Sequence, residues 1–240
     1  MTGPIPILMY HQIDEPPARG TPLRGLVVSP RSFAWQMNML RILGFRGLSM
    51  RDLEPYLLGQ KQGRVVGITF DDGYLNNHDQ ALPILRRLGH TATCYAVSSL
   101  IGLSNRWDDG VIATQPLMGK SQWLRWLDAG MDVGSHTCHH IDLQASEDAL
   151  ALDEMISSKS ELESELGIEV RHFCYPYGRY HEKHAVMAKQ AGYQTATTMR
   201  RGRFHFGADP WQLPRVMVTC STYPWHMALK ILTGYEDRRG

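Results

Sequence analysis

The sequence is poor in several features that mark whole classes of protein. It has four cysteines in 240 residues, Cys94, Cys138, Cys174 and Cys220, and none form a CxxC pair. So sparse a set favours buried free thiols in a reducing compartment over a disulfide framework. It has no excess of either charge: 25 Lys and Arg face 24 Asp and Glu, a formal net charge of +1. Neither nucleic acid nor an anionic membrane is therefore expected as a partner. No apolar run approaches the ~20 residues that cross a bilayer, so no transmembrane segment is expected. Met1-Thr2-Gly3-Pro4 leads straight into a strand-like stretch, without a basic region followed by an apolar one. No secretory signal is visible, and a cytoplasmic location is the expectation. Internal repeats and low-complexity tracts are absent too.

What is present is a regular alternation. With 43% hydrophobic and 20% charged residues, the chain suits one globular domain over 1–240. Strand-type stretches fall at 5–11, 64–70, 91–97, 131–135, 172–175, 194–198 and 213–218. Amphipathic helical stretches fall at 32–43, 80–88, 121–129, 146–166, 183–191 and 225–232. Ser29-Pro30 opens one helix, and Gly44, Gly89, Gly130, Gly167 and Gly192 close five others. Strands alternating with helices predict parallel βαβ units. About seven of them fit a distorted (β/α) barrel, with a doubly wound open sheet as the competing architecture. Both place functional groups at the carboxyl ends of strands. The polar, glycine-containing segment 100–120 reads as a long loop over that end.

Three strand ends carry unusual chemistry. Thr69-Phe70 runs into Asp71-Asp72-Gly73. Adjacent carboxylates repel, so a surface turn or a bound cation must accommodate them, and the cation explains them better. Asp132-Val133-Gly134-Ser135 runs into His136-Thr137-Cys138-His139-His140. Two imidazoles four residues apart, together with a carboxylate, make an open site for a divalent ion. A lone histidine there would be surface decoration; three at one strand end, with FDDG at another, point to metal. His139, between the ligand positions, is expected to face away. The third end, Phe173-Cys174-Tyr175-Pro176-Tyr177-Gly178, is on its own an ordinary aromatic-proline turn. Functionally it could offer backbone N–H groups to an oxyanion. Trp123 and Trp126 lie three apart on a helix and read as core. His172, His181, His184 and His205 read as ordinary surface residues.

Taken together, Thr69-Phe70-Asp71-Asp72-Gly73, His136-Thr137-Cys138-His139-His140 and Cys174-Tyr175-Pro176-Tyr177-Gly178 resemble the polysaccharide deacetylase family, carbohydrate esterase family four. Leu8-Met9-Tyr10-His11 and Val28-Ser29-Pro30-Arg31-Ser32-Phe33 resemble its branch of bacterial exopolysaccharide and poly-N-acetylglucosamine deacetylases. The resemblance implies a hydrolase that removes N-acetyl groups from an amino sugar or polysaccharide. It implies one divalent ion, zinc first with cobalt or nickel as alternatives, held by Asp72, His136 and His140. Asp71 would be the general base, the backbone N–H of Tyr177 would support the oxyanion, and Tyr10, His11, Trp107, Tyr177 and Trp211 would meet the sugar.

Two positions depart from the family pattern. The arginine that should orient the base falls at Cys174; Arg215, on a late strand, is the candidate replacement, with a plain surface ion pair as its alternative. The last motif's histidine, the general acid, has no clear counterpart; His226 is the one histidine in that region and could equally be an exposed residue. Two other functions compete: a hydrolase of another non-peptide C–N bond, such as a cyclic ureide, an imide or a formyl group, and a non-catalytic carbohydrate-binding relative. Intact Asp71, Asp72, His136 and His140 argue against the second.

Overall fold

The computed structural model describes residues 3–240. Ten strands form in chain order: β1 (Ile7–Tyr10), β2 (Gln12–Ile13), β3 (Val27–Val28), β4 (Arg46–Leu48), β5 (Val65–Phe70), β6 (Thr93–Ala96), β7 (Asp132–Ser135), β8 (His172–Cys174), β9 (Thr195–Arg201) and β10 (Leu213–Met217). Seven α-helices accompany them: α1 (Pro30–Ile42), α2 (Met50–Leu57), α3 (Leu82–Leu88), α4 (Lys120–Asp128), α5 (Asp148–Leu166), α6 (Glu182–Gln190) and α7 (Pro224–Leu232).

β1, β5, β6, β7, β8, β9 and β10 pair in parallel and close into a barrel, because β1 bonds β10 on one side and β5 on the other. This is the distorted (β/α) barrel read from the sequence, and the open sheet is ruled out by the β1–β5 pairing. Each of the seven expected strands appears, most with trimmed ends, while β9 runs three residues past the expected 198 to Arg201. Short β4 joins the first half of β5, and β2 with β3 forms a separate two-stranded ribbon.

Three strands and α2 went unread in the sequence. β2, β3 and β4 have only two or three residues, too few to show a period. Pro55 lies inside α2 and reads as a helix breaker. The helix forms because its start is fixed by a local cap, Ser49 accepting from Asp52 N at 3.2 Å, and by a tertiary bond, the Met50 N–H donating to Thr93 Oγ1 at 2.7 Å.

The core supports the carboxyl end of β5. Phe70 packs against Tyr10, Phe33 and Trp126, with ring centroids 5.5, 5.7 and 6.0 Å away. Trp123 and Trp126 are buried, as their spacing suggested. His172 and His184 depart from expectation, since both are fully buried. His172 opens β8 with its side chain buried and Nδ1 2.9 Å from Thr195 Oγ1. His184 folds back onto the first turn of α6, where its Nδ1 accepts from His181 N at 3.0 Å.

Candidate active site

The FDDG turn is shaped by its backbone. Gly73 has φ +76°, and a Cβ there would come within 2.9 Å of the Trp123 ring. Asp72 itself has φ 76°, a conformation that costs most non-glycine residues of order 1–3 kcal/mol. Five non-glycine residues among those described have positive φ: Leu23, Asp72, Thr137, His140 and Tyr177. Four of these, all but Thr137, line one cavity of about 270 Å³, and Thr137 precedes that wall. Strain is thus concentrated around a single pocket at the carboxyl end of the barrel.

Inside it, Asp72 Oδ1 lies 3.4 Å from His136 Nε2 and 3.3 Å from His140 Nε2, all three side chains being buried. His136 Nδ1 is 2.7 Å from the Cys174 carbonyl, which can only accept, so Nδ1 carries the hydrogen. In the neutral ring Nε2 then presents a lone pair toward a carboxylate oxygen. Two acceptors facing each other need a positive charge between them. Tetrahedral ligation with bonds of about 2.1 Å puts ligand atoms ~3.4 Å apart, which the two separations match. The donor set fits a divalent cation. Burial opposes ionisation of Asp72, but the two imidazoles more than offset it and hold its carboxyl well below the usual range. His140 Nδ1 has no partner among the described residues, and its ring is held by packing instead. Trp107 stacks on it at 4.3 Å and 23°, and Tyr177 meets it edge-on at 4.5 Å.

Asp71 has a separate environment. Arg215 grips both carboxylate oxygens at 2.7 Å. It also donates to Thr198 O at 2.8 Å, Thr69 Oγ1 at 3.1 Å and Cys174 Sγ at 3.3 Å. All five guanidinium hydrogens therefore have acceptors in a fully buried side chain. Burial pushes the Asp71 carboxyl up, while the charge and hydrogen bonds of Arg215 prevail and hold it below the ordinary value. The contact expected between Arg215 and Asp71 is present and direct. Cys174, at the position where the family carries its arginine, supplies a small side chain that leaves room for a guanidinium arriving from β10.

His11 reaches the same carboxylate from the pocket side, with Nε2 3.8 Å from Asp71 Oδ2. Trp107 and Tyr177 also line the pocket. Three expected residues do not. Tyr10 is fully buried, packed on Phe33 and bonded to Gln36 at 2.9 Å; as the last residue of β1 it points into the barrel's packing. Trp211 turns its indole to Tyr193 O at 2.8 Å and lies under Lys189, since the turn before β10 lies away from the pocket. His226 is exposed on α7, its ring beside Tyr223 and Trp225, and does not border the cavity.

One supporting residue went unread. Glu154 sits on the buried stripe of α5 with Ala151, Met155 and Ser158; an acid in such a stripe was the available signal. Its Oε2 accepts from Cys138 N at 2.8 Å and His139 N at 3.0 Å, and Oε1 lies 2.6 Å from His139 Nδ1. It thereby fastens the loop between His136 and His140, and it turns His139 away from the pocket as expected. If Asp72, His136 and His140 hold a divalent ion, Glu154→Ala should weaken its binding about 10- to 100-fold, the scale typical of residues that orient metal ligands. Competition with a chromophoric chelator measures it, and unchanged affinity would count against this role.

Comparison with known proteins places this geometry. A family model described as polysaccharide deacetylase matches residues 59–196, more than half the chain, and leaves His11 and Arg215 outside the matched segment. YxkH of Bacillus subtilis (strain 168), which carries a provisional polysaccharide deacetylase name, is 29% identical over 217 residues, 90% of this chain and 71% of its own. The poly-beta-1,6-N-acetyl-D-glucosamine N-deacetylase of Staphylococcus epidermidis is 23% identical over 227 residues, 90% of this chain and 76% of that one. The structure of IcaB from Ammonifex degensii superposes with a TM-score of 0.80 at 26% identity, covering 95% of this chain and 98% of that one. The fold is shared as well with a Streptococcus pyogenes deacetylase, PplD, at a TM-score of 0.84 and 24% identity over 96% and 99% of the two chains.

Proposed function

Because this chain belongs to the polysaccharide deacetylase family, we infer that it hydrolyses the acetamide of N-acetylated glucosamine units in an oligo- or polysaccharide, with the help of a divalent ion. The observation that carries this reading is the pairing of two units at the carboxyl end of the barrel: Asp72, His136 and His140 spaced as metal ligands, and Asp71 held beside them by Arg215.

Asp72 Oδ1 and the Nε2 atoms of His136 and His140 would hold the ion, zinc first and cobalt or nickel next. When bound, such an ion lowers the pKa of a water from ~16 toward roughly 7 and polarises a carbonyl. Asp71, ionised and fixed by Arg215, takes the proton from the attacking water. A C–O bond forms at the acetamide carbon, and the Tyr177 backbone N–H supports the developing oxyanion. The C–N bond then breaks as the nitrogen takes a proton. His11 supplies that proton in this reading, being the pocket histidine beside Asp71 that is not a ligand; the exposed His226 is set aside. The products are acetate and a free amino sugar. Tyr177, 41% exposed at the pocket wall, offers a ring face to the sugar.

The reading is tested by measuring acetate released from N-acetylglucosamine and its oligomers by protein reconstituted with zinc, cobalt or nickel. Release from at least one acetylated sugar is expected. Hydrolysis of cyclic ureides, imides or formyl amides in place of these sugars would overturn it.

A further inference from the structure

The active pocket continues into a second cavity. A groove of about 260 Å³ shares Gln12, Leu23 and Ile112 with the pocket of about 270 Å³, so the two form one trough. Each half lies just below the ~300 Å³ of a small-molecule site, and together they suit a chain of sugars better than a single ring.

The trough is anionic. Arg179 is the one lysine or arginine among the described residues that line it, and its guanidinium is committed to Asp142 at 2.6 Å. Asp71 is matched by Arg215, and Asp72 belongs to the metal set. Asp108 in the pocket and Asp14 and Glu15 in the groove remain, and no ion pair reaches any of the three among the described residues. Asp108 is also fixed in place. Asn105, fully buried, donates to Asp108 Oδ2 at 3.0 Å and to the Tyr74 hydroxyl at 3.3 Å, and accepts from Gln115 N at 2.5 Å. Burial raises the Asp108 carboxyl above its ordinary value, so a cation beside it would be welcome.

A fully acetylated chain is neutral and offers these carboxylates no charge. The reaction itself makes the matching group, because each acetamide cleaved leaves a primary amine that takes up a proton. We propose that the trough prefers an amino-sugar chain already carrying free ammonium groups next to the acetamide to be cleaved, with Asp108 and the Asp14–Glu15 pair as its specificity-determining residues. One turnover then improves the chain as a substrate for the next. The inference rests on the deacetylase reading above.

The test compares kcat/KM for fully acetylated glucosamine tetramers with that for tetramers of equal length carrying defined free amines, using metal-loaded full-length protein. A partly exposed ion pair is worth up to about five-fold, so a preference of roughly two- to five-fold per ammonium is expected. It should shrink as salt is raised. In Asp108→Asn, and in the double variant Asp14→Asn with Glu15→Gln, the ratio should fall toward one. Calorimetric titration with the fully deacetylated tetramer should show weaker binding in the same variants, whose folding is checked by thermal unfolding. Equal kcat/KM for both tetramers, or a ratio unmoved by both variants, overturns this inference while the deacetylase reading stands. Absence of acetate release from every tetramer overturns both.

Discussion

Asp71→Asn is expected to leave one zinc bound per chain while turnover falls ~10²- to 10⁴-fold, the scale of losing a general base. The substitution is nearly isosteric, and the amide oxygen can still accept from Arg215, so the turn after β5 should keep its shape. The three candidate ligands are other residues, with Asp72 turned toward His136 and His140 and Asp71 toward Arg215. Asp72→Ala should behave in the opposite way and lose the metal. Zinc content by elemental analysis, set beside acetate release for both variants, checks the division of labour. Equal zinc loss in the two would refute it. The low Asp71 carboxyl also fixes a sign: its base form persists through the acid side of neutrality, so any fall in rate caused by its protonation should appear only below the usual carboxylate range.

Arg215→Met should be the most destabilising of these changes. It strips the partner from a buried carboxylate, which typically costs about 3–5 kcal/mol, and it leaves Thr198 O without its guanidinium donor. Arg215→Lys is the informative companion. A point charge at this site keeps attraction to Asp71 but cannot grip both oxygens while serving Thr69, Thr198 and Cys174. We expect Arg215→Lys to keep most of its zinc and to lose turnover by more than tenfold. Urea unfolding and metal content separate the effects; an Arg215→Met protein as stable and as active as the parent would contradict the assignment.

The barrel was readable because most barrel strands are apolar or β-branched runs and each strand but one joins the next through a helix of clear period. What escaped were elements too short for a period, β2 to β4, and α2, whose Pro55 outweighed its cap in any local reading. The site divided in the same way. Asp71, Asp72, His136 and His140 sit in contiguous motifs, so chain order alone pointed to them. Arg215 was found by asking what charge must replace Cys174 in a closed barrel. Glu154 and Asp108 act from a helix and a loop outside the motifs; an acid in the apolar stripe of α5 was the one mark Glu154 carried, and Asp108 carried none. Tyr10, Trp211 and His226 were misplaced because aromatic and imidazole side chains suit a core or a surface as well as a sugar, and only the path of the chain decides which.

Acetate release by metal-depleted protein, followed as zinc is added back, tests the central claim most directly. The account predicts almost no release after chelation and a rise that levels off at one zinc per chain. Undiminished release from protein shown to be free of metal would contradict it.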